Sequence, residues 1–225
     1  MLTGFMRPGA DRVGLMSTEV QGNTAGTRRR EQILDVAVGM FADRGFESTT
    51  MRAVAEEIGT TAPLVIYHFA TKLELYRAVF ARYQHLNEER RRQVLAVDPS
   101  ASDAVERIVD AFLMPTLKAQ ETADGKLFAR LVLREASDPS AHDRGILAEY
   151  FDPMARDFIA VMRKALPDKP QGFHEWAYMF GVGALTGTAL PQRIASLSDV
   201  TNINDFRYDY LRTVLIAGWR GAGPK

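Results

Sequence analysis

A group of hydroxyl-bearing and basic residues between positions 27 and 72 carries the side chains best suited to bind another molecule. The group comprises Thr27, Arg28, Arg29, Thr49, Thr50, Arg52, Thr61, Tyr67, His68 and Lys72. Their hydroxyl, guanidinium, imidazole and ammonium groups can donate hydrogen bonds to the phosphates or the base edges of a nucleic acid. Each also has a simpler explanation, because threonines cap helices and exposed cations are commonly solvated.

The composition argues against other kinds of site. The 225 residues include no cysteine and four histidines, so disulfides and thiolate metal sites are excluded and a zinc site is not expected. We find no nucleophile elbow, phosphate-binding loop or catalytic triad motif, and we expect neither enzyme activity nor a cofactor. No apolar run approaches the roughly 20 residues of a membrane span. Residues 1–20 lack the apolar core of a signal peptide, which predicts a cytoplasmic protein.

The charge is unevenly distributed along the chain, but the contrast is small. Residues 25–95 contain 11 Lys and Arg against 9 Asp and Glu, whereas residues 96–225 contain 15 against 17. This difference permits a nucleic-acid partner for the first part of the chain and does not require one.

Three short helices are predicted to hold the candidate residues. The stretch TRRREQILDVAVGMFADRG has its apolar residues on one helical face and ends at Gly45. Thr49 or Thr50 can cap a second helix that ends at Gly59. Thr61 can cap a third, with Pro63 in its first turn, where a missing amide donor does no harm.

The third helix, TAPLVIYHF, is a poor helix former that follows a short helix and a glycine-containing turn. That arrangement is typical of a helix-turn-helix, whose second helix lies in the DNA major groove. Leu64, Val65 and Ile66 cannot all be buried in two turns, and exposed apolar groups can contact thymine methyls. Ala62, Pro63 and Leu64 therefore join the candidate DNA contacts.

The segment from Thr27 to Phe80, about a quarter of the chain, resembles the DNA-binding domain of the TetR family of bacterial transcriptional repressors. The resemblance rests on ILDVAVGMFADRGFESTTMRAVAEEIG, on the APL…YHF helix and on the TK that opens the next helix. It implies a homodimeric repressor that binds palindromic double-stranded DNA and is released by a small-molecule effector. A helical scaffold or interaction protein that does not bind DNA is the alternative function.

The resemblance also implies roles for particular residues. An arginine at the place of Arg52 can reach into the groove. Lys72 is badly placed for the dipole of the helix that it opens, which favours a phosphate partner. His68 either donates to a phosphate or packs inside the domain. Ile66 departs from the family pattern, where tyrosine is frequent.

The rest of the chain is predicted to be helical, which gives an all-α fold. Thr71 and Glu74 form a capping box that opens a fourth helix, running to about residue 95. Further helices are expected near 101–119, 125–136, 140–165, 170–190 and 204–219, with Pro115 and Pro153 bending or dividing two of them. We expect a flexible arm over residues 1–24, in which Met16 is an alternative start, and a helix-turn-helix DNA-binding domain over 25–70. A larger effector-binding and dimerisation domain follows over 71–225, with 71–96 as a connecting helix.

The larger domain of the resembling family binds the effector and forms the dimer. The last two predicted helices are expected to form a four-helix bundle with a second copy, since small residues permit close approach, namely Gly181, Gly183, Ala184 and Gly187. An ordinary pair of helices within one chain is the alternative. A pocket for an apolar or aromatic effector is expected from the aromatic residues and methionines, although most of these can simply be core. Its candidates are Phe112, Met114, Phe128, Leu131, Phe151, Met154, Phe158 and Trp176.

Overall fold

The computed structural model describes residues 13–221, and within these residues every regular element is a helix. The helices of the first half are α1 (Val13–Ser48), α2 (Met51–Glu57), α3 (Ala62–His68), α4 (Lys72–Arg82) and α5 (Gln84–Leu95). The second half contains α6 (Ala104–Ala119), α7 (Ala123–Ser137), α8 (Ala141–Arg144), α9 (Ile146–Tyr150), α10 (Asp152–Ala165), α11 (Phe173–Gly187), α12 (Pro191–Ala195), a 3₁₀ turn (Ile203–Phe206) and α13 (Arg207–Arg220). The prediction of an all-α fold is confirmed.

Helix α1 is longer than the sequence predicts. Residues 1–12 of the expected arm lie outside the described residues, but over residues 13–24 the backbone is helical and runs into the predicted first helix. Extending a helix that has already formed adds one hydrogen bond per residue at little cost, so polar residues can continue it. At its other end the helical path breaks at Gly45, whose φ of +80° is strained for other residues.

Two local predictions agree with the structure and one differs. The side chain of Thr71 accepts from the Glu74 amide at 3.1 Å, while Glu74 accepts from the Ala70 amide at 2.9 Å. Pro153 lies in the first turn of α10 and separates it from α9. The predicted fourth helix is divided at Tyr83, whose ring stacks on Phe128 with centroids 4.0 Å apart.

The first of two apolar cores holds α1–α4 together and continues into α7. Ile33, Phe41, Val54, Val65 and Tyr76 are fully or almost fully buried in it. Phe128, Leu131 and Ile146 complete the same cluster, although they lie more than fifty residues further along the chain. The packing therefore continues across the boundary predicted after residue 70.

The second core lies among α5, α6, α10, α11 and α13. Val94, Ile108, Phe112, Phe158 and Trp219 are buried there. The indole Nε1 of Trp219 donates to the Ala177 carbonyl at 3.1 Å, which attaches α13 to α11. No helix within residues 13–221 is both long enough and apolar enough to cross a membrane.

Candidate nucleic-acid interface and ligand cavity

Helices α2 and α3 expose one continuous surface. Thr50 caps α2, with its side-chain oxygen accepting from the Ala53 amide at 3.1 Å. Val65 and Phe69 anchor α3 in the core, which turns Ile66 and Tyr67 toward solvent. Tyr67 is 82% exposed and Ile66 is 48% exposed. Of the other candidates here, Thr61 and Pro63 are exposed, and Ala62, Leu64 and His68 are half-buried.

The basic segment of α1, Arg28 to Arg30, lies in the middle of this long helix and beside the end of α3. The Arg30 guanidinium lies over the Phe69 ring, 4.8 Å from its centroid. Thr27 and Arg28 on the same helix are exposed, and Arg29 is half-buried. Guanidinium groups are thus placed next to the exposed face of α3.

Arg52 lies in the first turn of α2 and is highly exposed. Its Nε donates to Glu56 Oε1 at 2.8 Å, and this hydrogen bond raises the pKa of Arg52. The ion pair is exposed and joins residues one helical turn apart, so it restrains the guanidinium only weakly. Arg52 therefore remains able to meet a base edge.

Thr49 does not belong to this surface, which corrects the prediction that it contacts phosphate. The residue is fully buried, and its hydroxyl donates to the carbonyls of Gly45 at 2.8 Å and Met40 at 3.3 Å. These contacts hold the bend at the end of α1. The adjacent Thr50 has the capping role that the sequence left open between them.

Lys72 has partners within the fold that the sequence did not indicate. Its Nζ donates to the carbonyls of Phe46 at 3.0 Å and Glu47 at 3.3 Å, and lies 4.2 Å from the Phe46 ring centroid. An ammonium has three donors, so one remains for another acceptor. The unfavourable position of Lys72 in the helix dipole is thus compensated by internal contacts.

A cavity of about 440 Å³ lies among α5, α6, α7, α10 and α11. Such a volume suits a small organic ligand. Four of the eight predicted residues line it, namely Phe112, Phe128, Phe151 and Met154. Within residues 25–221, no three or more His, Asp or Glu side chains are placed to hold a metal ion.

The other four predicted effector residues lie outside this cavity. Leu131 is buried in the first core and Phe158 is buried beside the Phe112 ring. Met114 is 43% exposed on α6, and Trp176 is 65% exposed on α11. Helical periodicity predicts which positions are apolar, but it does not predict whether each side chain faces the cavity or a packed core.

The cavity wall contains a basic residue, Arg90, that the sequence analysis missed. Arg90 is only 5% exposed, and its guanidinium lies 4.6 Å from the Phe112 ring centroid. Its Nε has no hydrogen-bond partner among the described residues. Burial lowers the pKa of Arg90, with a smaller opposing contribution from Tyr178, but arginine stays protonated in proteins. The sequence does contain one signal that Arg90 is buried, because it lies between Leu86 and Val94 on the apolar face of the helix.

Helix α7 lies between the cavity and the first three helices. Phe128, Ala129 and Val132 on one face line the cavity. On the other face Arg134 donates to the carbonyls of Ala42 at 3.1 Å and Asp43 at 2.9 Å. Helix α7 therefore contacts both the cavity and the C-terminal part of α1.

An exposed apolar face covers parts of α11 and α13. Trp176 and Phe180 are 65% and 69% exposed and lie one helical turn apart on α11, and Gly183 continues their line. On α13, Tyr210 and Val214 are 63% and 66% exposed. Helices α11 and α13 pack against each other, and exposed apolar side chains on neighbouring helices are typical of an interaction site. We call this surface, Trp176, Phe180, Gly183, Tyr210 and Val214, the α11–α13 face.

Two family models match the chain. Residues 33–79 match the model described as bacterial regulatory proteins, tetR family, and residues 110–218 match the tetracyclin repressor-like C-terminal domain. The first match covers the helix-turn-helix and most of α4. The second includes α7 to α11, all of α12 and most of α6 and α13.

Curated relatives and solved structures agree with these matches. The chain is 34% identical over 96 residues to the HTH-type transcriptional activator FasR of Mycolicibacterium smegmatis, covering 40% of this chain and 44% of the relative. It is 35% identical over 66 residues to the repressor KstR2 of the same organism, covering 26% and 32%. These matches span less than half of each relative. The crystal structure of PfmR from Thermus thermophilus is similar in fold, with a TM-score of 0.58 and 15% identity over 85% of this chain and 99% of PfmR.

Proposed function

This chain belongs to the TetR family of bacterial transcriptional regulators, and we propose that it acts as a homodimeric repressor released from a palindromic operator by a small molecule. As a family member it is a DNA-binding regulator of the helix-turn-helix class. The observation that carries the proposal is the position of α7, which is both a wall of the cavity and a support for α1.

On the DNA side, α3 enters the major groove and Arg52 reads base edges from α2. Tyr67 and Pro63 meet the groove wall or thymine methyls, while Thr50 and Thr61 contact phosphates. Additional phosphate contacts come from Thr27, Arg28 and Arg29 on α1, from His68 at the end of α3 and from the remaining donor of Lys72. Ala62 and Leu64 lie close to the groove floor.

The dimer forms through the α11–α13 face of each protomer. Its apolar side chains are solvated in one protomer, and burial against the same face of a second copy removes them from water. Gly183 allows the two α11 helices to approach closely, because it carries no side chain. Its own protomer does not require a glycine here, since a Cβ would meet nothing within 4 Å. The dimer places two α3 helices about 34–36 Å apart, one turn of DNA.

The effector occupies the cavity and acts through α7. A ligand that needs more room than the empty cavity offers binds more tightly when α7 is displaced, and that differential affinity shifts the population toward this arrangement. Because Arg134 and Tyr76 link α7 to α1 and α4, the displaced helix carries the α2–α3 unit with it. The spacing of the two recognition helices then no longer matches the operator.

Selection of bound sequences from random duplex DNA tests the DNA-binding part of the proposal. We expect an enriched palindrome and affinity that falls steeply with salt. Failure to bind any duplex at low salt would favour the scaffold alternative. In vitro transcription from the selected site then distinguishes repression from activation, since FasR and KstR2 are named as an activator and a repressor respectively.

A further inference from the structure

The cavity wall contains a buried cation, Arg90, whose role the proposed function does not explain. Among the described residues, Arg90 forms no ion pair and no hydrogen bond, and its side chain is surrounded by the rings of Phe112 and Phe158. A buried charge without a partner is unfavourable, and proteins normally pair such a charge. The ring faces compensate part of this cost by cation–π attraction. They leave the hydrogen-bond donors of the guanidinium unsatisfied.

A second donor lies close to the guanidinium. The Tyr178 hydroxyl forms no hydrogen bond to any other described residue, and its side chain lines the same cavity. Both groups pack against the Phe112 ring, whose centroid lies 5.5 Å from that of Tyr178 and 4.6 Å from the Arg90 guanidinium. Burial raises the pKa of Tyr178, while the charge of Arg90 opposes that shift. At neutral pH the phenol stays protonated and is available to donate. The cavity thus offers several donors close to one positive charge.

The acidic residues of the wall do not neutralise this charge. Asp152 and Glu175 line the cavity but form ion pairs with Arg156 and Arg163 on the outer side. Their side chains are 44% and 47% exposed, so water screens them at the mouth of the cavity. Among the described lining residues, Arg90 is therefore the charged side chain that lacks an ionic partner, and much of the remaining lining is apolar.

We propose that the effector is an amphipathic monoanion, an apolar body bearing one carboxylate, and that this carboxylate pairs with Arg90. The planar guanidinium matches a carboxylate through two parallel hydrogen bonds. A doubly charged phosphate fits less well, because the described wall has one unpaired cation and would leave the second charge uncompensated. This inference rests on the proposed function, in that it names the chemistry of the molecule expected to fill the cavity.

Three small-molecule probes with the same alkyl chain and different head groups test the inference without any mutation. Decanoate, decan-1-ol and decylamine are titrated into the full-length wild-type protein by calorimetry. We expect decanoate to bind about 10–100-fold more tightly than decan-1-ol, the range for hydrogen bonds to a charged group. Decylamine should bind most weakly of the three. Equal affinity for the acid and the alcohol, or a preference for the amine, would overturn the inference.

A variant then assigns the preference to one residue. Arg90→Met removes the charge while keeping a long unbranched side chain. Arg91→Met is the matched control, because the neighbouring Arg91 is exposed and pairs with Asp157, which does not line the cavity. In Arg90→Met the preference for decanoate should disappear while decan-1-ol binding is kept or strengthened, and Arg91→Met should behave as wild type. If Arg90→Met does not fold, Arg90→Gln serves in its place. A variant that retains the full preference for decanoate contradicts the assignment to Arg90.

The same probes separate this inference from the proposed function. Release of the selected operator is measured by fluorescence anisotropy with each probe. If decanoate binds through Arg90 but leaves the protein on DNA, the ligand chemistry stands and effector-controlled release fails. If decan-1-ol releases the operator as well as decanoate does, controlled release stands and the carboxylate inference fails.

Discussion

The hydroxyl of Tyr76 donates a hydrogen bond to Oε2 of Glu135 at 2.9 Å, joining α4 to α7 across 59 residues of sequence. Both side chains are buried, and Arg144 Nη2 donates to the same carboxylate oxygen at 2.7 Å. Burial, with the charge of Glu135, raises the pKa of the Tyr76 hydroxyl well above its ordinary value, so it remains a donor. This contact is a direct link between the helix that follows α3 and the wall of the cavity.

Replacing Tyr76 with phenylalanine removes one hydrogen bond to a buried carboxylate and leaves the Arg144 pair. We expect the free energy of unfolding to fall by about 1–3 kcal/mol. Urea unfolding measures this, with Tyr208→Phe as the control. The Tyr208 hydroxyl donates to Asp110 Oδ1 at 2.9 Å in a more exposed place, so its loss should be smaller. Equal losses in the two variants would contradict a special role for the buried link.

Arg52→Ala should weaken operator binding by about tenfold and relax the preference at one guanine per half-site. The reason is that the guanidinium can pair with O6 and N7 of guanine, which alanine cannot do. Selection of bound sequences with wild type and variant measures the preference. Glu56→Gln is the control, because it removes the charge of the Arg52 partner, 2.8 Å away, while leaving the guanidinium in place. Unchanged base preference in Arg52→Ala would assign Arg52 to phosphate at most.

Lys72→Ala should have two effects because Lys72 has internal and external acceptors. Loss of the hydrogen bonds to the Phe46 and Glu47 carbonyls should lower the free energy of unfolding by about 1–2 kcal/mol. Loss of one phosphate contact should weaken binding to all DNA sequences alike and reduce the salt slope by about one. A variant with lower stability and an unchanged salt slope would show that Lys72 serves only the fold.

Gly183→Leu should weaken dimerisation by at least about tenfold without unfolding the protomer. Gly183 is exposed and has open space around it within one protomer, so added bulk can clash only with a partner. Sedimentation velocity across micromolar concentrations measures the effect. Ala160→Leu makes a similar change at an exposed position of α10, outside the α11–α13 face, and should dimerise normally. A wild-type protein that is monomeric throughout would contradict the proposed dimer.

Gly181 illustrates why the position matters. A Cβ there would lie 3.3 Å from atoms of both the Phe112 and the Trp219 rings, inside the second core. Gly181→Ala therefore perturbs the fold of one protomer and gives no information about the partner. Gly181 and Gly183 lie two residues apart in the sequence, but Gly181 reports on the core of one protomer and Gly183 on the contact between protomers.

Asp138→Asn should lower the free energy of unfolding at neutral pH, and this difference from wild type should disappear in acid. The Ser140 amide, which donates at 2.8 Å, and Arg144 hold the pKa of Asp138 below its ordinary value. A lowered folded-state pKa stabilises the fold above the unfolded value of about 3.9, and that contribution is lost as pH falls through the folded value. Urea midpoints at pH 7, 5, 4 and 3 should converge for wild type and variant. A constant difference over this range would contradict the charge-based explanation.

Local signals were sufficient to predict the helix-turn-helix from the sequence. Gly45, Thr50, Thr71 and Glu74 act through backbone geometry and hydrogen bonds within a few residues, so their effects are visible in short stretches. The exposure of Tyr67 likewise follows from the burial of its neighbours in a two-turn helix.

Contacts between distant parts of the chain could not be predicted in the same way. Arg90 lies in a run, NEERRRQ, whose composition indicates a solvated helix, and only its packing against Phe112 and Phe158 removes it from water. The break of the predicted fourth helix at Tyr83 accompanies a stacking partner 45 positions away, Phe128. In both cases tertiary packing overrides a local preference.

The position of α7 has a consequence for how this regulator can evolve or be re-engineered. A substitution on its cavity face that admits a new inducer also alters how the helix rests against α1 and α4. Genetic screens that randomise α7 to find new inducers should therefore return many constitutive mutants. The reason is that the same helix contacts the inducer and supports the DNA-binding helices when no inducer is present. Libraries confined to Met154, Ile159, Val182 and Leu185 of α10 and α11 should change inducer choice while preserving tight repression.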